Sequence, residues 1–371
     1  MQNKLQDIFR LEAVKYLTPV SLKALLNQYD TAEECKHLSD EELIKAGISK
    51  AGRRNLREIS FDDTVYQQQL EAAEKLGNIK VVTFYDDEYP ANLRNIFDPP
   101  LYLFFQGEIS PKDDLSIAIV GSRTLSRTGI QTIKKVSREL AAAGFVIISG
   151  LAMGADTVAH LGAIEAKART VAILGSGIDK EVNVCSRGTR RKIIETGGAV
   201  LSPFKIGYEG TKYSFPARNR VISGMSLGVI IGEAKMKSGS LITASFGLDQ
   251  GREVFALPNL IYKEKFEGSN NLIKTGSAKL IMGTKDVIDE MPEYVQNLLS
   301  STARKVEDNV VEFNDKLEEK VYKTLLKNKM NIDELSEKLS IDTGTLMSKL
   351  LMLELNGLIL REPNNFFCIN K

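Results

Sequence analysis

Between Ser116 and Asn259 short apolar runs alternate with helical stretches, and this alternation restricts the fold more than any other feature of the chain. "SIAIVGSR" reads as a buried strand ending in glycine, and "GIQTIKKVSRELAAAG" as an amphipathic helix closed by Gly144. "FVIISG", "TVAILGSG", "AVLSPF" and "SLGVIIGEA" repeat the strand pattern. "GADTVAHLGAIEAKA", "TRRKIIETGG" and "SLITASFGLDQG" repeat the helical one, and "REVFALPN" closes the series. Continuous apolar strands joined by helices require a sheet covered on both faces, so the spacing predicts a doubly wound, mostly parallel α/β fold.

At 371 residues the chain exceeds one ordinary core. Residues 1–75 read as a small helical module, with Ser39 placed to cap a helix and Glu42 three residues on. Residues 76–290 hold the α/β domain, entered through two β-rich runs after Ile79. The polar stretch 291–314 reads as a linker. Residues 315–371 then offer Asp333–Leu339, a turn and Thr343–Leu355, a helix-turn-helix pattern, with Gly357 ahead of a possible wing. The second of these helices carries one lysine among many apolar residues, so a protein-interaction role is expected at least as much as contact with a DNA groove.

The formal charge is only +1, yet residues 115–220 hold 16 Lys/Arg against 7 Asp/Glu. A basic region on an otherwise acidic chain suits a discrete polyanion site better than bulk coating of nucleic acid. Cys35, Cys185 and Cys368 show no paired spacing, which fits a reducing cytoplasm and neither a disulfide framework nor a metal site. No run of roughly 18 apolar residues occurs, so no membrane span is expected. His37 and His160 are the only histidines. No catalytic set and no cofactor is expected.

In a doubly wound sheet, ligands gather beyond the carboxyl ends of the strands. There "IVGSR" places Gly121, Ser122 and Arg123 between strand and helix. Small residues let backbone N–H groups approach an anion, and Arg123 adds a fork for phosphate. "SGLAMGAD" repeats the arrangement at 149–156, and "LGSGID" does so with Gly175, Ser176 and Gly177. None is a dinucleotide fingerprint, because Lys180 stands where the third glycine belongs. Asp156, Asp179 and Glu233 read first as helix caps or loop orienters. The alternative is a nucleotide-binding sensor or nucleotide-processing enzyme that uses them as active-site carboxylates. His160, four residues after Asp156, reads as a structural hydrogen-bonding group.

"SFPARNR", preceded by Lys212, supplies Lys-x-x-Phe-x-x-Arg-Asn-Arg. Phe215 offers a ring on which a base would stack for about 1–3 kcal/mol. Taken as an extended loop, the stretch is expected to bring one of Arg218 and Arg220 to the ligand and use the other to pin the loop. Lys237, Ser238 and Ser240 open a further helix with groups suited to phosphate or to capping.

The order "GSR", "SGLAMGAD", "LGSGID", "FPARNRVISGMS", "EAKMKSGSLITA", "GREVFALP" and "GSNNLIKTGSA" resembles the DNA-processing protein A family, DprA or Smf, over about residues 115–281. The terminal segments are similar to those of its longer members. The resemblance implies a cytoplasmic, dimeric, single-stranded-DNA-binding protein with an extended Rossmann-like domain, one that protects incoming DNA in natural transformation and loads RecA recombinase, without enzymatic activity. It places DNA contacts on Gly121, Ser122, Arg123, Gly175, Ser176, Gly177, Lys212, Phe215, Arg218 and Asn219. The chain departs from the family after "GSGID", where "KEVNVCSRGTRRK" replaces a Tyr-Pro and an Asn and offers Arg187, Arg190 and Arg191 as compensating charge. "SPF", "GAD" and "ALPN" also replace the usual Ser-Glu, Gly-Ile-Asp and Pro-Gly.

Overall fold

The computed structural model describes residues 4–181, 186–299, 315–326, 328–355, 358–362 and 366–369, in two compact units that divide at residues 303 and 304. The first unit is built on a nine-stranded sheet. Its strands are β1 (Lys80–Thr83), β2 (Tyr102–Gly107), β3 (Ser116–Val120), β4 (Val146–Ser149), β5 (Thr170–Ile173), β6 (Ala199–Ser202), β7 (Gly228–Ile231), β8 (Glu253–Ala256) and β9 (Lys279–Leu280). They lie in the order β1-β2-β6-β5-β4-β3-β7-β8-β9. β6 through β9 are mutually parallel, and only the β1–β2 and β2–β6 pairs are antiparallel. The chain winds outward from β3 through β4, β5 and β6. It then returns to the other side of β3 to add β7, β8 and β9, so the topological switch lies between β3 and β7, where such sheets bind ligands.

The apolar runs behave as their lack of alternation requires. Ile117 and Ile119 of β3 face one core while Ala118 and Val120 face another, because successive strand residues point to opposite faces. Helices α8 (Arg127–Ala142) and α9 (Ala155–Glu165) cover the first face. Helices α11 (Ser214–Met225) and α12 (Gly239–Asp249) cover the second.

The amino-terminal helices α1 (Lys4–Glu12), α2 (Pro19–Gln28), α3 (Ala32–Lys36), α4 (Asp40–Lys45), α5 (Lys50–Glu58) and α6 (Thr64–Leu76) do form, with Ser39 and Glu42 closing a reciprocal cap on α4. Their separateness needs correcting. Ile8, Phe9, Leu25 and Leu43 share one core with Tyr102, Phe104, Leu174 and Val200 of the sheet domain. Gln69 of α6 also exchanges two hydrogen bonds with the backbone of Ile206, at 2.7 and 3.2 Å. The module is a wall of the α/β unit.

The linker boundary moves too. Past the short helices α7 (Ala91–Arg94), α10 (Ser186–Glu195), α13 (Glu267–Lys274) and α14 (Thr284–Asp289), helix α15 spans residues 293–299. Met291, Val295 and Leu299 are buried against Phe255 and Ile281. The stretch from Met291 to 299 is therefore core, its apolar residues spaced at four, while 300–314 lie outside the described residues.

The second unit has α16 (Lys316–Leu325), α17 (Ile332–Leu339) and α18 (Thr343–Leu355). A small sheet in the order β10-β12-β11 joins Met330–Asn331, Phe366–Ile369 and Ile359–Glu362. Leu335, Leu346, Leu350, Leu353 and Phe367 fill its core. This is the expected winged-helix pattern. Gly357 lies outside the described residues.

Candidate nucleic-acid interface

The segment from Ser214 to Arg220 is helical, which corrects its reading as an extended loop. Pro216 falls in the first turn of α11, where a missing N–H costs nothing. The Ser214 hydroxyl donates to the Gly175 carbonyl at 2.6 Å and tethers the helix start to the loop after β5. Helical spacing then does what an extended chain would not. Phe215, Arg218 and Asn219 stand three and four residues apart on one face, and Arg220 points elsewhere, to the carboxylate and carbonyl of Asp98.

That face lines a cleft of about 260 Å³ at the carboxyl ends of β3 and β7. Its walls include Gly121, Arg123, Asp156, Phe215, Arg218, Asn219, Ser238 and Ser240. Arg123 is exposed and carries its guanidinium 5.5 Å from the centroid of the half-buried Phe215 ring, a cation–π distance. Lys212 is exposed and lies outside the cleft lining. Its ammonium lies 5.1 Å from the ring of Tyr213, which is 74% exposed. Neither cation forms an ion pair with a described residue.

Arg218 is different in kind. It is 4% exposed, and its Nη1 donates to the carbonyls of Gly150, at 2.7 Å, and of Ile173. Its Nε donates to Asn219 Oδ1 at 3.2 Å. Burial lowers its pKa to about 10, with Asp156 opposing the shift. The guanidinium therefore stays charged at neutral pH and ties together the ends of β4 and β5. Gly150 makes room for it, because a Cβ there would meet Arg218 Nη1 at 2.5 Å and Asp156 Oδ2 at 2.6 Å.

Two N–H groups of the glycine loops are already bonded within the fold and do not serve as an anion cradle. The Ser122 N–H donates to the Glu233 carbonyl at 2.7 Å, and the Gly177 N–H to the Tyr208 carbonyl at 2.8 Å, so neither is turned to a ligand. Gly121 permits close packing, since a Cβ there would come 2.9 Å from that of Ala155. Gly175, Ser176 and Gly177 are buried, and a Cβ on Gly175 would lie 2.6 Å from Phe215 Cδ1. The loop seats the ring.

The carboxylates act as orienters. Glu233 accepts from the N–H of Ser126 at 2.9 Å and from its hydroxyl, fixing the residue that caps α8, and pairs with Lys265 at 3.4 Å. Asp179 accepts from the Gly207 N–H at 2.8 Å. Asp156 accepts from the Ala152 N–H at 3.4 Å, its pKa raised by burial against the pull of Arg218. His160 bonds Thr170 through Nδ1 at 2.8 Å, and burial pushes its pKa down to about 3.

Ser238 caps α12 and lies 2.8 Å from Ser240, hydroxyl to hydroxyl, while Asn219 Nδ2 holds the Gly239 carbonyl at 3.2 Å. Lys237 is exposed and lies outside the cleft lining. The three arginines offered as compensating charge already have partners: Arg187 with Glu181 at 2.6 Å, Arg190 with Gln106 at 3.0 Å and Arg191 with Glu195 at 3.3 Å. Tyr213 and Thr243 were missed. The first was hidden as an unassigned position between Lys212 and Phe215, the second one turn along the helix that Ser238 caps.

The family model for DNA recombination-mediator protein A matches residues 80–292, more than half the chain. The chain belongs to the DprA/Smf family. The DprA winged helix domain model matches residues 311–365. DNA processing protein DprA of Streptococcus pneumoniae is 40% identical over 257 residues, 68% of this chain and 88% of that one. Protein Smf of Escherichia coli is 39% identical over 210 residues, 57% of this chain and 54% of that one. The X-ray structure of the pneumococcal DprA superposes with a TM-score of 0.65 at 31% identity, covering 79% of this chain and 99% of that one. DNA processing protein A of Helicobacter pylori, whose structure is described for its single-stranded DNA binding mode, has a TM-score of 0.50 at 26% identity, covering 61% and 96%. No helix among the described residues is long and apolar enough to cross a membrane.

Proposed function

We propose that this protein grips single-stranded DNA at the cleft beside Phe215, shields it in the cytoplasm and hands it to RecA recombinase during transformation or recombination. The observation that carries the reading is the Arg123 guanidinium held 5.5 Å from the Phe215 ring at a cleft mouth. One group neutralises phosphate while the other presents a face to a base, the combination that sequence-tolerant single-strand binding uses. Arg123, Lys212, Tyr213 and Phe215 are the contact set. Asn219, Ser238 and Ser240 shape the wall. Arg218 and the Gly175–Gly177 loop support it from below. The three carboxylates all have orienting partners, which favours a binder over an enzyme. The protein works as a homodimer, a reading supported by Leu260, Ile261 and the 94%-exposed Tyr262, which stand out from the α/β unit.

Fluorescence anisotropy with a dT oligonucleotide tests the site. Arg123→Ala and Lys212→Ala are expected to weaken binding at least tenfold while leaving the urea midpoint in place. Each neutralised phosphate contributes about −0.7 to the slope of log affinity against log salt, so each variant also flattens that slope. Wild-type affinity in both variants would remove the site, and stabilisation by a mononucleotide but not by the oligonucleotide would point to a sensor instead. Light scattering with and without DNA reads the dimer.

A further inference from the structure

One polar group in the cleft is not used by the fold. Thr243 lies in the second turn of α12, is 1% exposed and lines the cleft together with Phe215, Asp156 and Asn219. A threonine inside a helix ordinarily turns its hydroxyl back to the carbonyl four residues earlier. Here that is Gly239, whose carbonyl instead accepts from Asn219 Nδ2 at 3.2 Å. Thr243 Oγ1 is buried and has no hydrogen-bond partner among the described residues. A buried hydroxyl in that condition weakens the folded state, and valine would fill the same space without the penalty.

Resting on the single-stranded DNA reading of this cleft, we infer that Thr243 is a base-contacting residue, its hydroxyl bonding the polar edge of a nucleobase inserted beside Phe215. The space suits one base. The cleft holds about 260 Å³, below the roughly 300–1,000 Å³ typical of sites for drug-sized ligands. Phe215, Pro216 and Ile242 give it apolar walls for a ring face, and Arg123 stands at the rim for the phosphate. A hydroxyl both donates and accepts, so it can meet the edge of any base, in keeping with sequence-tolerant binding.

The test compares two fluorescent oligonucleotides of roughly 20 nucleotides, one of dT and one of the same length with abasic sugars. Thr243→Val is expected to bind the dT strand about fivefold more weakly, to bind the abasic strand as wild type does, and to unfold at an equal or higher urea concentration. Thr243→Ser, which restores the hydroxyl, recovers most of the loss. Wild-type affinity of Thr243→Val for dT would overturn the inference. Equal losses on both strands would overturn it by assigning the hydroxyl to the backbone, and a lowered urea midpoint would do so by making it structural. Arg123→Ala, run alongside, separates the two levels. If it too binds normally, the cleft is not the DNA site. If it alone loses binding, only the role of Thr243 falls.

Discussion

Helices α11 and α18 both occupy positions where nucleic-acid contact is expected, and they differ in what they leave exposed. α11 brings Phe215 to a cleft whose rim carries Arg123, and neither Arg123 nor Lys212 is paired to a carboxylate among the described residues. α18 is the second helix of a helix-turn-helix, yet it exposes Met347, Leu351 and Met352. Its lysine, Lys349, is held by Asp315 and, at 3.5 Å, by Glu318. A cation already bonded to carboxylates neutralises little phosphate, and a thioether-rich face suits an apolar partner. Motif position thus says less about DNA binding than the pairing state of each charge.

The largest effect expected is on stability, and it separates two arginines of one cleft. Arg218→Ala removes the donors to the Gly150 and Ile173 carbonyls and leaves Asp156 buried without its counter-charge. Leaving a buried charge without compensation costs about 3–5 kcal/mol. Urea unfolding should show that loss for Arg218→Ala and almost none for the exposed Arg123→Ala. Equal stability of the two variants would mean that Arg218 faces the ligand after all.

These two arginines also mark what could be read without coordinates. The alternation of strands and helices needed only apolar period and glycine punctuation, so the doubly wound sheet was legible. So was the cleft's position beyond the strand ends. The state of Arg218 was not, because whether a guanidinium meets solvent or two carbonyls depends on the register of β4 and β5 far away in sequence. The glycine loops misled for a related reason. A glycine that admits phosphate and a glycine that admits a phenyl ring leave the same letter, and only the Gly175–Phe215 approach tells them apart. The 291–299 boundary was lost because four-residue spacing of Met291, Val295 and Leu299 is easily masked by the polar residues between them.

The next effect is on binding. Phe215→Ala should cost about 1–3 kcal/mol of oligonucleotide affinity if one base stacks on the ring. Gly175→Ala should cost part of the same amount, because its Cβ would come 2.6 Å from Phe215 Cδ1 and push the ring from its seat. Competition anisotropy reads both. Full affinity in Phe215→Ala would move the stacking surface to Tyr213 and shift the interface along the rim.

The support under α11 should also respond to pH. His160 titrates near 6.5 when unfolded and near 3 when folded, since burial and Arg218 both oppose its charge. The unfolded chain therefore takes up a proton first as pH falls. The stabilising contribution is complete above pH 6.5 and drains away toward pH 3, at up to about 1.4 kcal/mol per pH unit. The destabilisation caused by His160→Leu should thus be about 2 kcal/mol smaller at pH 5 than at pH 7. Urea midpoints at the two pH values decide it, and an unchanged gap would mean that the imidazole takes up its proton over the same pH range in the fold as in the unfolded chain.

The smallest effect expected is the one that tests α18 most directly. A chain ending at residue 299 keeps Met291, Val295 and Leu299, and with them the core of the first unit. Because α18 offers DNA a lysine already bonded to two carboxylates, this shortened chain should bind the dT oligonucleotide within about twofold of the full chain, a difference of under half a kcal/mol. A loss of tenfold or more would place DNA contacts in the winged-helix unit and make the apolar face of α18 incidental. Unchanged binding together with lost stimulation of strand exchange would leave the exposed Met347, Leu351 and Met352 as the face on which a protein partner acts.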